Sequence, residues 1–287
     1  MSDRSNSVVY DIWKFSMKLK GTQLTLRGHS RGSEASCFYI PELKTFLDAG
    51  CKSYFNPDYI LITHCHSDHS FELPMILTGL NREGKEAPQI YAPAESRNLF
   101  QNFLQTTYQL RKGSLRAKGH FRVIGARPGM EIDLNKDGFF ARVYDLHHNV
   151  PTRGYGICQK RKKLNPVYHG LLGKELKALK DTGVDINEYV TYKMVAYVLD
   201  TTIECFDTNP ELLDYKNVVV ECTFFMDEPV DVTEKHIHWC NLKQVVKSNP
   251  DVQFILVHFS MRYTWDEIIS FFEEQKKDVP NIIVWAN

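Results

Sequence analysis

The chain has no net charge, because its 287 residues include 35 Lys and Arg against 35 Asp and Glu. A protein without an overall basic field must hold any nucleic-acid partner through local clusters of basic residues. One candidate is the 160–163 run, which is Lys-Arg-Lys-Lys. The other, named here the 111–127 cluster, consists of Arg111, Lys112, Arg116, Lys118, Arg122 and Arg127. Either could equally be an ordinary solvated face.

Cysteine pairs of the C-x-x-C type are absent, and the seven cysteines are odd in number and scattered. This pattern argues against a disulfide framework and for a reducing compartment. No apolar run approaches the roughly 18 residues of a membrane span, and residues 1–13 resemble neither a signal peptide nor an amphipathic transit sequence. We therefore expect a cytoplasmic or nuclear protein with no membrane partner.

Repeats, low-complexity tracts and Pro- or Gly-rich linkers are also missing, so nothing marks a domain boundary. With 43% hydrophobic and 24% charged residues, the chain can bury a sizeable core. The sequence predicts one domain that spans residues 1–287.

Short runs rich in β-branched and aromatic residues recur along the chain and predict strands. They cover residues 23–28, 36–40, 45–50, 59–64, 139–147, 154–159, 194–200, 218–225, 254–260 and 281–286. Apolar residues at helical spacing predict helices at 93–110 and 264–277. Strands with interleaved helices in both halves predict an α/β fold, a sandwich of two β-sheets with helices outside.

Four metal-binding side chains crowd into the stretch ITHCHSDHS, residues 62–70. His64, His66, Asp68 and His69 directly follow a buried-strand pattern, so they fan out from one strand end. Imidazole nitrogens and carboxylate oxygens bind divalent cations such as zinc. An H-x-H pair alone is more often a surface or core feature, but H-x-H-x-D-H in one turn is rare by chance. The motif predicts a metal site, with the first two histidines suited to one ion and Asp68 and His69 to a second.

The H-x-H-x-D-H motif resembles the signature of the metallo-β-lactamase superfamily. Segments 145–156, 197–202 and 256–264 supply a later His, Asp and His in the order of that superfamily's remaining ligands. The resemblance implies a four-layer αβ/βα sandwich, in which two mixed β-sheets are flanked by helices, around a dinuclear metal centre.

Other segments are similar to the ribonuclease Z family, the endonucleases that remove 3′ trailers from precursor tRNA. VECTF (220–224) is similar to the family's Glu-x-Thr motif, EKHIHW (234–239) to its histidine motif, and HFSMRYT (258–264) to its H-F-S-x-R-Y motif. Residues 168–186 especially resemble the short plant-type enzymes. The resemblance extends over nearly the whole chain.

The resemblance implies a set of ligands for two Zn²⁺ ions per subunit, although Mn²⁺ would suit the same donors. The set consists of His64, His66 and His148 for one ion, Asp68, His69 and His258 for the other, and Asp200 as the bridge. Counting back from Gly154 and Tyr155 selects His148 rather than His147 as the third histidine.

The resemblance also implies catalytic roles. Asp68 would act as general base, and His236, oriented by Glu221, would act on the scissile phosphate and the leaving oxygen. His238 stays open as the histidine that reaches the site instead. Arg262 could bind a substrate phosphate, or it could be a structural ion-pair residue.

The sequence departs from the family at two places. Leu199 stands where relatives have Gly before the bridging Asp200, which leaves the backbone there open. Neither the family's Pro-x-Lys-x-Arg-Asn loop, near residues 28–33, nor a long arm containing Gly-Pro is evident, so the grip on tRNA is open too. The resemblance implies a homodimer in which one subunit holds the precursor tRNA that the other cleaves.

Two other functions compete with the endonuclease. A hydrolase of the same fold could act on a small molecule, since a metal pair alone would allow that. A degenerate binding module could keep the fold without the chemistry, but all seven ligand positions are filled, which argues against it.

Overall fold

Two seven-stranded β-sheets pack face to face in the computed structural model, which describes residues 12–82, 86–226 and 235–286. The first sheet contains β1 (Ser16–Lys18), β2 (Thr25–Arg31), β3 (Ala35–Ile40), β4 (Thr45–Leu47), β5 (Tyr59–Leu61), β6 (Gln89–Pro93) and β7 (Val123–Ala126). The second contains β8 (Glu131–Lys136), β9 (Phe139–Leu146), β10 (Thr152–Leu164), β11 (Asn187–Val198), β12 (Asn217–Glu221), β13 (Gln253–Val257) and β14 (Ile282–Val284).

Each sheet is mixed in the same way. The strands β1 to β4 and β8 to β11 pair antiparallel in chain order, and β4 to β7 and β11 to β14 pair parallel. The carboxyl ends of the parallel strands within each sheet therefore meet at one edge, where loops can bring side chains together.

Helices lie on the outer faces of both sheets and in the connections between strands. They are α1 (Ser67–Ser70), α2 (Leu73–Arg82), α3 (Arg97–Lys112), α4 (Gly173–Asp181), α5 (Cys205–Thr208), α6 (Trp239–Ser248) and α7 (Trp265–Gln275), with short 3-10 turns at Pro41–Leu43, Pro166–Tyr168 and Pro210–Asp214. The capping box that Thr264 forms with Glu267 begins α7 at the residue that the sequence indicated.

Three apolar clusters separate four layers. Phe38, Tyr155, Tyr197 and Trp285 are completely or almost completely buried between the two sheets. One outer cluster packs α2 and α3 on the first sheet, and the other packs α6 and α7 on the second. This arrangement confirms the predicted sandwich of two mixed sheets flanked by helices.

The hairpin formed by β10 and β11 was predicted too short. It extends to Leu164 paired with Asn187, whereas β9 pairs with β10 only as far as Gln159. Lys and Arg side chains of the extension stack across the hairpin on Tyr189 and Tyr192 instead of entering the core. Because this part of the hairpin is held by cross-strand pairs rather than by burial, it carries no apolar signal. The sequence alone did not reveal this extension of the hairpin.

Candidate metal centre

The predicted ligands lie on four loops at one edge of the sandwich. The first loop follows β5 and leads into α1, and the others follow β9, β11 and β13. Gly50 lets α1 approach closely, because a Cβ there would lie 1.7 Å from the Asp68 carbonyl oxygen. The histidines and aspartates that are far apart in the chain thus reach a common site.

The first group of ligand atoms belongs to His64, His66, His148 and Asp200, and these atoms lie within 4.8 Å of one another. His64 Nε2 is 3.0 Å from His66 Nδ1 and 3.5 Å from Asp200 Oδ2. His148 Nε2 lies 3.8 Å from the same carboxylate oxygen. This is the set of residues that the sequence assigned to the first ion, together with the proposed bridge.

The second group belongs to Asp68, His69 and His258. His69 Nε2 and His258 Nε2 are 3.3 Å apart, and Asp68 Oδ2 lies 3.5 Å and 3.7 Å from them. The other oxygen of Asp200, Oδ1, is 3.3 Å from His69 Nε2 and 3.2 Å from His258 Nε2. Since its two oxygens face different groups, Asp200 has the placement that a bridging ligand requires.

The donor atoms fit divalent cations. His148 Nε2 is buried without a hydrogen-bond partner, and such an atom is costly unless a ligand satisfies it. Two nitrogens bound to one tetrahedral zinc are about 3.3 Å apart. The nitrogen pairs above are 3.0 and 3.3 Å apart, so each group has the spacing of ligands that share an ion.

Backbone conformation helps to aim three of the carboxylate and imidazole groups. Asp48, Asp200 and His258 lie just after strands and have φ values of 63°, 49° and 62°. Residues other than Gly adopt this region rarely, and often at functional sites. Leu199 is not among the residues with positive φ, and its side chain is fully buried. The missing Gly therefore does not disturb Asp200, because the unusual conformation falls on the aspartate itself.

Asp48 supports the candidate site through hydrogen bonds, and the sequence did not indicate it. Its fully buried carboxylate accepts hydrogen bonds from His69 Nδ1 (2.8 Å), from Thr63 and from Tyr197 Oη (3.0 Å). Burial disfavours the charged imidazole, but Asp200 and Asp48 outweigh it and raise the pKa of His69 well above its ordinary value. The available signal was an aspartate within the strand-like run at 45–50, and the structure ends that strand at Leu47.

Two similar hydrogen-bond chains orient His64 and His258. His64 Nδ1 lies 3.0 Å from Thr63 Oγ1, which also contacts Asp48. His258 Nδ1 lies 3.1 Å from Thr223 Oγ1, which donates to Glu221 Oε2 at 2.5 Å. Each carboxylate–threonine–histidine chain fixes the imidazole so that Nε2 points toward the metal groups.

Asp48→Asn is expected to lower metal affinity about 10- to 100-fold, as loss of such a supporting carboxylate does elsewhere. The substitution keeps the size and removes the charge opposite His69 Nδ1. Metal titration with a competing chelator measures the effect. The control is Tyr197→Phe, which removes a single hydrogen bond to the same carboxylate. Equal metal affinity in Asp48→Asn and the parent protein would contradict a supporting role.

His148, not His147, faces the metal groups. The side chain of His148 is 2% exposed, and its Nδ1 donates to the Lys235 carbonyl at 3.0 Å. His147 is exposed, and its backbone bonds to the side chain of Thr201 and the N–H of Thr202. Both histidines lie in the loop that follows β9, and this loop turns them in different directions.

His236 and Glu221 form a pair beside the metal groups. His236 Nδ1 lies 3.1 Å from Glu221 Oε2, and the fully buried Glu221 also accepts from the N–H groups of Thr201 and Ile237. Burial lowers the pKa of His236, but Glu221 outweighs this and raises it to about 9. Glu221 thus holds the Nδ1 side of His236 while the imidazole faces the cleft.

His238 points elsewhere. It is 4% exposed, and its Nδ1 accepts the N–H of Cys240 at 3.1 Å, which caps α6. The alternative that the sequence left open is thus decided by orientation, because of these two histidines only His236 lines the cleft.

A cleft of about 310 Å³ opens over the two groups. Ser33, Asn149, Lys235, Phe224 and Arg262 contribute to its wall. Ser33 donates its N–H to Asp68 Oδ2 at 3.1 Å, so the loop after β2 touches a predicted ligand. The cleft gives a substrate direct access to His236, Asp68 and Asp200.

The paired mixed sheets, the outer helices and the histidine–aspartate groups at the strand ends define a metallo-β-lactamase fold protein, a class whose fold implies divalent metal binding. The metallo-β-lactamase fold protein YhfI from Bacillus subtilis shares the fold, with a TM-score of 0.57 and 15% identity, covering 90% of this chain and 94% of that one. No family model matches the chain.

Sequence relatives identify the particular family. The chloroplastic tRNase Z TRZ2 of Arabidopsis thaliana is 30% identical over 260 residues, covering 87% of this chain and 72% of the relative. The tRNase Z TRZ1 of the same plant is 28% identical over 263 residues, covering 89% and 91%. The chain belongs to the tRNase Z family, which confirms the resemblance to ribonuclease Z.

Proposed function

We propose that this protein is a metal-dependent endoribonuclease that cleaves the 3′ trailer from precursor tRNA. One observation carries the proposal: the His236–Glu221 pair lies beside two complete ligand groups in a chain whose relatives are named tRNase Z. A metal pair alone would serve many hydrolases, whereas a histidine paired with a carboxylate at the same cleft suits cleavage of a bond whose leaving oxygen needs a proton. We further propose that residues 1–287 act as one catalytic domain.

Two Zn²⁺ ions are the proposed cofactors, and Mn²⁺ would suit the same nitrogen and oxygen donors. The ligands are His64, His66 and His148 for one ion, Asp68, His69 and His258 for the other, and Asp200 for both. When bound, such a pair lowers the pKa of a shared water and stabilises charge on the attacked phosphate.

The protein's own residues move the protons. Asp68 is proposed to accept a proton from the attacking water, and Ser33 holds one of its oxygens in place. His236 is proposed to protonate the leaving oxygen, while Glu221 orients the imidazole through Nδ1 and leaves Nε2 for the substrate. Arg262 is proposed to contact the substrate at the cleft wall.

Purified protein and a 3′-extended precursor tRNA test the proposal directly. The expected products are a tRNA ending at its discriminator nucleotide and an intact trailer, with zinc present by elemental analysis. Turnover of a small ester or lactone without cleavage of the precursor would favour the small-molecule hydrolase. Absence of metal and of both activities would favour the binding module.

The two basic segments differ in how their charges are paired. Lys160 lies 2.8 Å from Glu131, and Lys162 lies 3.5 Å from Asp185. All six members of the 111–127 cluster are exposed. In the parts of the chain that the structure describes, none of the six forms an ion pair. The 111–127 cluster thus has more charge available for phosphates.

Neutralising the 111–127 cluster with Gln is expected to weaken precursor cleavage and to spare hydrolysis of a small phosphodiester. Each lost phosphate contact should reduce the slope of log affinity against log salt by about 1. The same change at 160–163 should have a smaller effect, because two of those charges are already paired. Equal loss of both activities in the cluster variant would refute this prediction.

We propose that the protein works as a homodimer, since sharing basic residues between subunits would help a chain without net charge hold RNA. Exposed apolar side chains support a protein contact on the first sheet's outer helices. Phe71 and Met75 are 55% and 62% exposed, and Phe71 stacks on Phe103 with ring centroids 5.0 Å apart. Sedimentation of the parent protein and of Met75→Lys tests this; a monomeric parent that cleaves precursor tRNA normally would rule it out.

A cytoplasmic or nuclear location remains a prediction. No helix in residues 12–82, 86–226 and 235–286 has the length and apolarity to cross a membrane.

A further inference from the structure

Phe224 and Arg262 form a cation–π pair in the wall of the cleft. The guanidinium carbon of Arg262 lies 4.8 Å from the centre of the Phe224 ring. Arg262 is exposed and Phe224 is only partly buried, so the guanidinium is the outer member of the pair. A guanidinium that packs on an aromatic ring can bind a second flat group with its other face.

The pair is close to the proposed proton donor. The Phe224 and His236 rings are 6.0 Å apart between centroids and nearly perpendicular, at 78°. Phe224 thus lies near both the Arg262 guanidinium and the His236 imidazole. A substrate group that contacts the Arg262 guanidinium would therefore lie close to the leaving oxygen that His236 protonates.

Main-chain hydrogen bonds hold both members of the pair. The Phe224 carbonyl accepts the N–H of Trp239 at 2.8 Å, and the Ser260 N–H donates to the Thr223 carbonyl at 3.0 Å. These bonds tie the segment of Phe224 to the His236 loop on one side and to the Arg262 loop on the other. A surface held in this way is preorganised to receive a flat ligand.

We propose that Arg262, supported by Phe224, is a stacking platform for the base of the nucleotide whose ribose carries the leaving oxygen. This inference rests on the proposed function. Protein surfaces commonly hold unpaired RNA bases on aromatic rings or on arginine guanidinium planes. Such stacking tolerates every base, so the platform would position the nucleotide at the cut without selecting its identity.

A simple phosphate contact by Arg262 makes a different prediction. A phosphate needs the positive charge, which Lys also supplies, whereas stacking needs the planar guanidinium. Arg262→Lys therefore separates the two roles. Phe224→Leu removes the supporting ring, and Phe224→Tyr restores it.

The experiment combines these variants with two precursor tRNAs, one normal and one abasic at the nucleotide that carries the leaving oxygen. Mapping of the product ends identifies that nucleotide as the one left with a free hydroxyl. We expect Arg262→Lys, Phe224→Leu and the abasic substrate each to lower kcat/KM about 10- to 100-fold, the scale of one base stacked on a protein side chain. Phe224→Tyr should recover most of the loss, and Met261→Ala, an exposed neighbour, should match the parent.

The decisive result is the combination of variant and abasic substrate. If the base stacks on the platform, Arg262→Lys and Phe224→Leu lose nothing further on the abasic precursor. Losses that multiply, or full activity of Arg262→Lys, would overturn the inference while leaving the proposed function intact. Failure of the parent protein to cleave either precursor would overturn both. Unchanged metal content and unfolding temperature in Phe224→Leu exclude misfolding as the cause of its loss.

Discussion

Replacing His148 with Ala is expected to remove one metal ion and nearly all precursor cleavage. The Nε2 atom of His148 is buried without a partner, and it lies 3.8 Å from the Asp200 oxygen that faces the first ligand group. Without it, that group keeps two histidines and one shared carboxylate, which leaves it a ligand short. Elemental analysis and a cleavage assay measure the two losses.

His147→Ala is the matched control, because it removes the same side chain one position earlier. The hydrogen bonds of His147 involve its backbone, and Ala keeps them. We expect metal content and activity close to those of the parent protein. Equal damage from both substitutions would show that the wrong histidine has been assigned to the first ion.

Replacing His236 with Ala is expected to leave both metal ions bound and to slow precursor cleavage by about 10²- to 10⁴-fold, the usual contribution of one general acid. The loss should be much smaller on an activated aryl phosphodiester, whose leaving group departs without a proton. Metal content, single-turnover cleavage and aryl ester hydrolysis are the three measurements.

His238→Ala provides the control for the neighbouring histidine. Since His238 caps α6, its loss should reduce stability by about 1 kcal/mol without slowing the folded enzyme.

A loss of metal in His236→Ala would contradict the role proposed for His236. It would favour the third group of possible ligands, Asp200, His236 and His258, over a role in proton transfer.

The sequence by itself determined the chemistry that this chain can support. The segment 62–70 follows a buried strand and contains four of the seven predicted ligands, and a local motif of this kind is visible without a structure. The alternation of strands and helices was likewise sufficient for the layered fold, because burial leaves an apolar pattern in the sequence. The extended part of the β10–β11 hairpin was not predicted, because its side chains are not buried and therefore leave no apolar pattern.

Tertiary structure decided the questions that depend on orientation. His147 and His148 are adjacent in the chain, and His236 and His238 are two residues apart, so composition and spacing could not choose between them. The resemblance to ribonuclease Z selected His148 and left His238 open as an alternative to His236. The fold turns one member of each pair toward the metal groups, through loops whose backbone hydrogen bonds come from distant segments. Asp48 was missed because its role exists only when β4 and β5 lie side by side and bring His69 within 2.8 Å of its carboxylate. The pairing of strands that are distant in the chain decides which atoms meet at a strand end. A single segment of the sequence does not show which other segment it will pair with.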